Sequence, residues 1–214
     1  IFSHMLTHKR TLIPMFLGLI FMSLIFYSFI FWAPTMMVRT YGLTLSEIGL
    51  ILGLITIFSS ISGTILAGVT VDYLRGKGYK DAPVRTAMFT SLLALPPIAL
   101  APFMESIIIS WVFIAFYLFF ISSFAPLGLL AVSGVSSGRV KGQLTAIYAF
   151  LIMVFGLSIG PQLTAFFSDF VFQDASRLGW SISLTAILVL PLSALFFWFS
   201  LPRYRDSVER IILR

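Results

Sequence analysis

Polar residues in this chain gather in short clusters separated by long uncharged runs. Reading between charged side chains leaves six windows, 11–38, 48–71, 86–104, 106–138, 142–168 and 178–202. A helix needs about 20 apolar residues to cross the hydrocarbon core, so each window is long enough to span. The runs are continuously apolar and do not alternate with period two, which argues for helices and against a closed β-barrel. Ser133-Gly-Val-Ser-Ser-Gly138 reads as a turn, ending the fourth helix near Val132. Thr44-Leu-Ser-Glu47 has the spacing of a capping box and marks the start of the second helix. The first run is of full span length and carries no small-residue cleavage site at its end, unlike a secretory signal. The chain opens on Ile1 and not on Met, which is compatible with a cut.

Composition sharpens this picture. Of the 214 residues 59% are apolar and 10% charged, with a mean hydropathy of +1.03. A soluble domain is about 25% charged. The 23 Phe, the absence of Cys and the absence of a basic cluster with interleaved polar residues argue against disorder, a disulfide scaffold and nucleic-acid binding. No thiol is present for catalysis or metal binding. The net charge of +6 is distributed by side. Lys9 and Arg10, then Arg75, Lys77, Lys80 and Arg85, then Arg139 and Lys141, and finally Arg203, Arg205, Arg210 and Arg214 share one side. Only Arg39 and Arg177 fall on the other. The positive-inside rule therefore predicts a multi-pass protein of the cell (inner) membrane with both termini cytoplasmic.

Sliding the chain by 97 residues lays the second span over the fifth. Gly63, Leu66 and Asp72 meet Gly160, Leu163 and Asp169, while Leu54, Ile55 and Phe58 meet Leu151, Ile152 and Phe155. Ser59, Gly63 and Ala67 fall on Gly156, Gly160 and Thr164, a small-xxx-small ladder that suits close helix packing in lipid. Asp72 and Asp169 end their helices on opposite sides of the membrane. The predicted fold is thus an all-α membrane bundle of six transmembrane helices, built as two inverted three-helix repeats. The units cover approximately 11–104 and 106–202 of one bundle, with 203–214 as a cytoplasmic tail.

Four stretches carry a family likeness. They are Trp32-Ala-Pro34 with Arg39-Thr-Tyr-Gly42 and Ser46-Glu-Ile-Gly49; Gly68-Val-Thr-Val-Asp72-Tyr-Leu-Arg75-Gly-Lys77; Arg139-Val-Lys-Gly142-Gln-Leu-Thr-Ala-Ile-Tyr148; and Gly156-Leu-Ser-Ile-Gly160-Pro161 running to Asp169. In order and spacing they resemble the C-terminal six-helix half of a major facilitator superfamily transporter, most closely its spinster-like branch. Tyr73 departs from the pattern, standing where a basic residue is usual. The resemblance implies half of a secondary, alternating-access transporter for a small organic solute or an amphipathic lipid-like molecule. Its implied partners are the lipid bilayer, the substrate and a missing N-terminal six-helix half. It also implies a conformational latch at Asp72, Arg75 and Lys77, with Gly68 as a close-packing position. A solvated basic loop is the plainer reading of those cations.

The same resemblance puts the first, second, fourth and fifth helices around a cavity. Tyr148, Phe155 and Gln162 recur every seven residues, so one stripe of the fifth helix is a candidate lining, with Gln162 expected to be a buried amide needing partners. Tyr27, Tyr117 and Ser123 are weaker cavity candidates, for which an interhelical hydrogen bond is the competing role. Trp32, Trp111, Trp180 and Trp198 lie near helix ends and read as an interfacial belt. No ionisable side chain lies within a span, and His4 and His8 precede the first helix, so no coupling carboxylate is evident. No metal cluster, cofactor motif or catalytic constellation is present, and no enzymatic activity is expected. A non-transporting membrane partner subunit and an intramembrane enzyme remain the alternatives.

Overall fold

The computed structural model describes residues 2–136 and 138–212, with the side chains of residues 2–8, 139, 211 and 212 outside that description. Six helices cross in succession. These are α1 (Phe2–Tyr41), α2 (Leu45–Gly76), α3 (Ala82–Leu100), α4 (Ile107–Ile121 continued by Phe124–Gly134), α5 (Gly138–Leu151 through Ser158–Phe166) and α6 (Leu178–Ile212). All six are long and apolar enough to span, so the chain is a multi-pass membrane protein.

Local chemistry explains where the helices begin and break. Glu47 N–H donates to Thr44 Oγ1 (3.3 Å) and Thr44 N–H donates to Glu47 Oε2 (2.9 Å), completing the capping box of α2. Gly42, at φ +70°, ends α1 in the left-handed conformation that a side chain disfavours. The break in α4 at Ser122-Ser123 lies four residues before Pro126, which has no N–H to offer the Ser122 carbonyl. The α5 span carries two wider π segments, Ile152–Leu157 and Phe167–Phe172. The first ends four residues before Pro161, again a missing donor. In the loop before α6, Asp174 accepts from Ser176 N–H (2.8 Å) and Ser176 Oγ (2.6 Å). Those bonds, with Arg177 nearby, hold its carboxyl below the usual range.

The packing obeys the inverted repeat. Exchanging α1 with α4, α2 with α5 and α3 with α6 turns the α1–α6 contact into α4–α3, and the α2–α4 contact into α5–α1. It returns α3–α6 to itself, and all five pairings are present. At residue level, Gly63 of α2 sits on the Phe119 carbonyl of α4, and Gly160 of α5 sits on the Leu24 carbonyl of α1. In each case a Cβ would collide with backbone. Polar side chains fasten the same seams, with Ser60 to Ser122 (2.7 Å) between α2 and α4, and Ser28 to Thr164 (2.6 Å) between α1 and α5.

Residues 203–212, expected as a cytoplasmic tail, are helical and continue α6. Tyr204, Ser207 and Val208 turn inward at helical spacing while Arg203, Arg205, Asp206 and Glu209 stay exposed, so the segment is amphipathic. Tyr204 OH donates to the Ala131 carbonyl (2.9 Å), and Thr11 bonds Ser207 (2.9 Å).

Candidate functional site

The sequence-derived cavity residues do not converge on one open space. Tyr117 is fully buried and donates to the Ile25 carbonyl (3.1 Å), tying α4 to α1. Ser123 is buried and satisfies the Phe120 carbonyl of its own helix (2.9 Å). Tyr148 fills the notch left by Gly128 and donates to Phe124 (3.3 Å) and Ala125 (3.1 Å) beside the α4 break. These three hydroxyls act as interhelical or local fasteners. Tyr27 is half-buried, packed edge-on against Phe26 and close to Gly156. Gln162 is exposed, which corrects its expected burial, and Phe155 is exposed as well.

Helix geometry accounts for that scatter. A spacing of seven aligns residues only while the helix turns at 3.6 residues. The π segment Ile152–Leu157 lies between Tyr148 and Gln162 and has a longer turn, so the stripe is rotated apart. Tyr148 consequently faces the bundle while Gln162 faces out of it.

The ladder residues divide similarly. Gly156 packs against Ser23 and Tyr27, Ala67 is buried, and Thr164 bonds both Ser28 and Thr185 (2.8 Å). Ser59 is half-buried and lines an apolar cleft of about 220 Å³ with Val112, Phe116 and Phe119. Of the four tryptophans, Trp180 and Trp198 are exposed as an interfacial belt requires. Trp111 is buried and Trp32 donates to the Pro161 carbonyl (2.9 Å), so these two serve the bundle.

The residues of the expected latch lie at the outward-facing end of α2 and its C-cap. Nothing occupies the space a Cβ on Gly68 would enter, so its close-packing role is not met within this chain. Asp72, Arg75 and Lys77 are all exposed. Asp72 has no hydrogen bond or ion pair with a described residue. Lys77 Nζ lies 4.4 Å from the centre of the Tyr73 ring, so the residue that departs from the family pattern holds a neighbouring cation by its face. Arg139, His4 and His8 lie outside the residues whose side chains are described.

An electrostatic centre absent from the sequence reading lies one turn further. Asp81 is completely buried and accepts from Arg85 Nη2 (3.1 Å) and Arg205 Nε (2.8 Å), with Arg205 Nη2 also at 2.8 Å. Its carboxylate leaves the start of α3 uncapped and bridges the α2–α3 loop to α6. Asp81 and Arg85 at i, i+4 around Pro83 were a visible signal, but Arg205 is 124 positions away. A second bridge, Lys80 to Glu209 (3.0 Å), runs beside it.

The chain matches no protein-family model. Over 205 residues it is 25% identical to an MFS-type efflux pump of Mycolicibacterium smegmatis, covering 95% of this chain and 47% of that protein. Two solved structures of a bacterial homologue of the human lysosomal transporter Spinster share its fold. The inward-facing, occupied form matches with a TM-score of 0.61 at 13% identity, over 92% of this chain and 49% of that one. The inward-facing, unoccupied form gives 0.59 at 14% identity, over 98% and 50%. The fold is one half of a major facilitator. The chain spans about half the length of each of these relatives. Of its spans, α2 and α5 are the least buried within the described residues.

Proposed function

We propose that this half-facilitator is the C-terminal half of a secondary transporter. Together with a second six-helix bundle it encloses a path for a small organic solute or an amphipathic lipid-like molecule, opened alternately to either side. The reading rests on one observation above others: the helix that carries the latch residues is the least covered. Only 17% of the most apolar stretch of α2 is buried, against 56% for α1, and α5 follows at 33%. Asp72 is exposed on that surface and Gly68 half-exposed, and on α5 the amide of Gln162 is exposed as well. A polar amide facing lipid is costly, whereas a solvated path shared with a second bundle satisfies it. The mycobacterial relative, an MFS-type efflux pump, belongs to the same class of activity. The distribution of basic residues supports cytoplasmic termini and a place in the cell membrane.

Reconstitution in vesicles tests this. The chain co-expressed with a matching N-terminal six-helix bundle is expected to move solute, and the chain alone, as a monomer, is not. Uptake by the monomer overturns the half-carrier reading. Gln162→Ala, at unchanged expression, is expected to lower transport by the loss of one hydrogen bond, about fivefold at ~1 kcal/mol. Unchanged transport removes Gln162 from the path.

A further inference from the structure

A slot between α1 and α6, at the end of the bundle that carries both described termini, has a cationic rim above an apolar floor. Lys9 and Arg10 on α1 and Arg203 on α6 border a cleft of about 390 Å³ floored by Leu17, Phe196 and Phe199. Tight helix packing closes its back wall. Gly18 brings α1 against the Phe197 ring, and Ser193 Oγ donates to the Gly18 carbonyl (2.8 Å). Phe21 stacks on Phe196 with centroids 5.5 Å apart and rings 7° from parallel, sealing the deep end. Toward the surroundings the slot is open, since Phe199 is 47% exposed and Ile13 beside it 57%.

The three rim cations have no acidic partner of their own among the described residues. Asp81 is held by Arg85 and Arg205, Glu209 by Lys80, and Asp174 by Arg177. Asp206, one turn beyond Arg203, is exposed and beyond ion-pair distance from it. The chain turns from charged to apolar at Arg10 and Thr11, which sets this rim at the boundary between water and hydrocarbon. An anion that used only the rim would leave the floor bare, and a zwitterionic headgroup would bring its own cation to a site already rich in them. We infer that the slot binds an anionic phospholipid, its phosphate against Lys9, Arg10 and Arg203 and one acyl chain along Leu17, Phe196 and Phe199. Clusters of basic side chains at this depth attract anionic headgroups.

Native mass spectrometry of the detergent-solubilised chain, titrated with phosphatidylglycerol, phosphatidylcholine or inorganic phosphate, tests the assignment. Phosphatidylglycerol is expected to bind at one saturable site at least tenfold more tightly than phosphatidylcholine, and millimolar phosphate is not expected to displace it. The triple variant Lys9→Gln, Arg10→Gln, Arg203→Gln is expected to lose about a hundredfold, at about fivefold per cation. The double variant Arg39→Gln, Arg177→Gln, at the other end of the bundle, is expected to retain the site. A photoreactive acyl chain is expected to label residues 13–17 and 196–199. Equal binding of the two lipids, displacement by phosphate, a matching loss in the double variant, or labelling spread evenly over the six helices each overturns the proposal.

Discussion

Asp81 shows how much one buried side chain organises at this end of the molecule. Both guanidinium partners reach water, with side chains 22% and 45% exposed, while the carboxylate does not. The cost of disruption is therefore asymmetric. Removing the charge with Asp81→Asn leaves two solvated arginines and is expected to destabilise by about 1–3 kcal/mol. The double variant Arg85→Gln, Arg205→Gln leaves an unpaired buried carboxylate and is expected to cost about 3–5 kcal/mol. Thermal unfolding in detergent reads both, and a costlier Asp81→Asn contradicts this account. The sequence reading passed over Asp81 because a carboxylate in a short polar loop looks solvated. Arg205 reaches it from the helical extension of α6, a segment that itself read as a tail.

Among the helices, two glycines hold equivalent seams. Gly63 against α4 and Gly160 against α1 each sit on a carbonyl of the opposing helix, where a methyl group forces two backbones apart. Gly63→Ala and Gly160→Ala are each expected to destabilise by about 1–3 kcal/mol. Gly49→Ala and Gly68→Ala, which meet open space, are expected to be neutral or up to ~1 kcal/mol stabilising from helix propensity. Equal effects at all four positions would remove the symmetric-seam argument. The ladder itself was legible as a repeat of small residues. Which face of α5 looks inward was not, because the two π segments rotate it in a way that a fixed heptad count cannot follow.

For the whole molecule, the proposed latch is tested at Asp72, which makes no hydrogen bond or ion pair with a described residue. Asp72 stands on the bare face of α2, and a carboxylate set against a helix N-terminus gains about 0.3–1 kcal/mol. In the reconstituted two-bundle protein, Asp72→Asn is expected to shift the ratio of inward- to outward-open forms about two- to fivefold. Site-directed fluorescent labels at the two mouths measure that ratio. No shift would return Asp72 to the status of a solvated charge.

Six spanning helices, the capping box of α2 and the inverted pairing of the two halves follow from amino-acid order. Length, uncharged runs and a repeated glycine ladder are local or periodic quantities, and a bilayer permits few other solutions. The long reach of α6, the destination of the Asp81 carboxylate and the outward turn of Gln162 were decided only in three dimensions. Each depends on residues more than a hundred positions apart, or on a change of helical pitch set by a missing proline donor, and neither leaves a periodic mark along the chain.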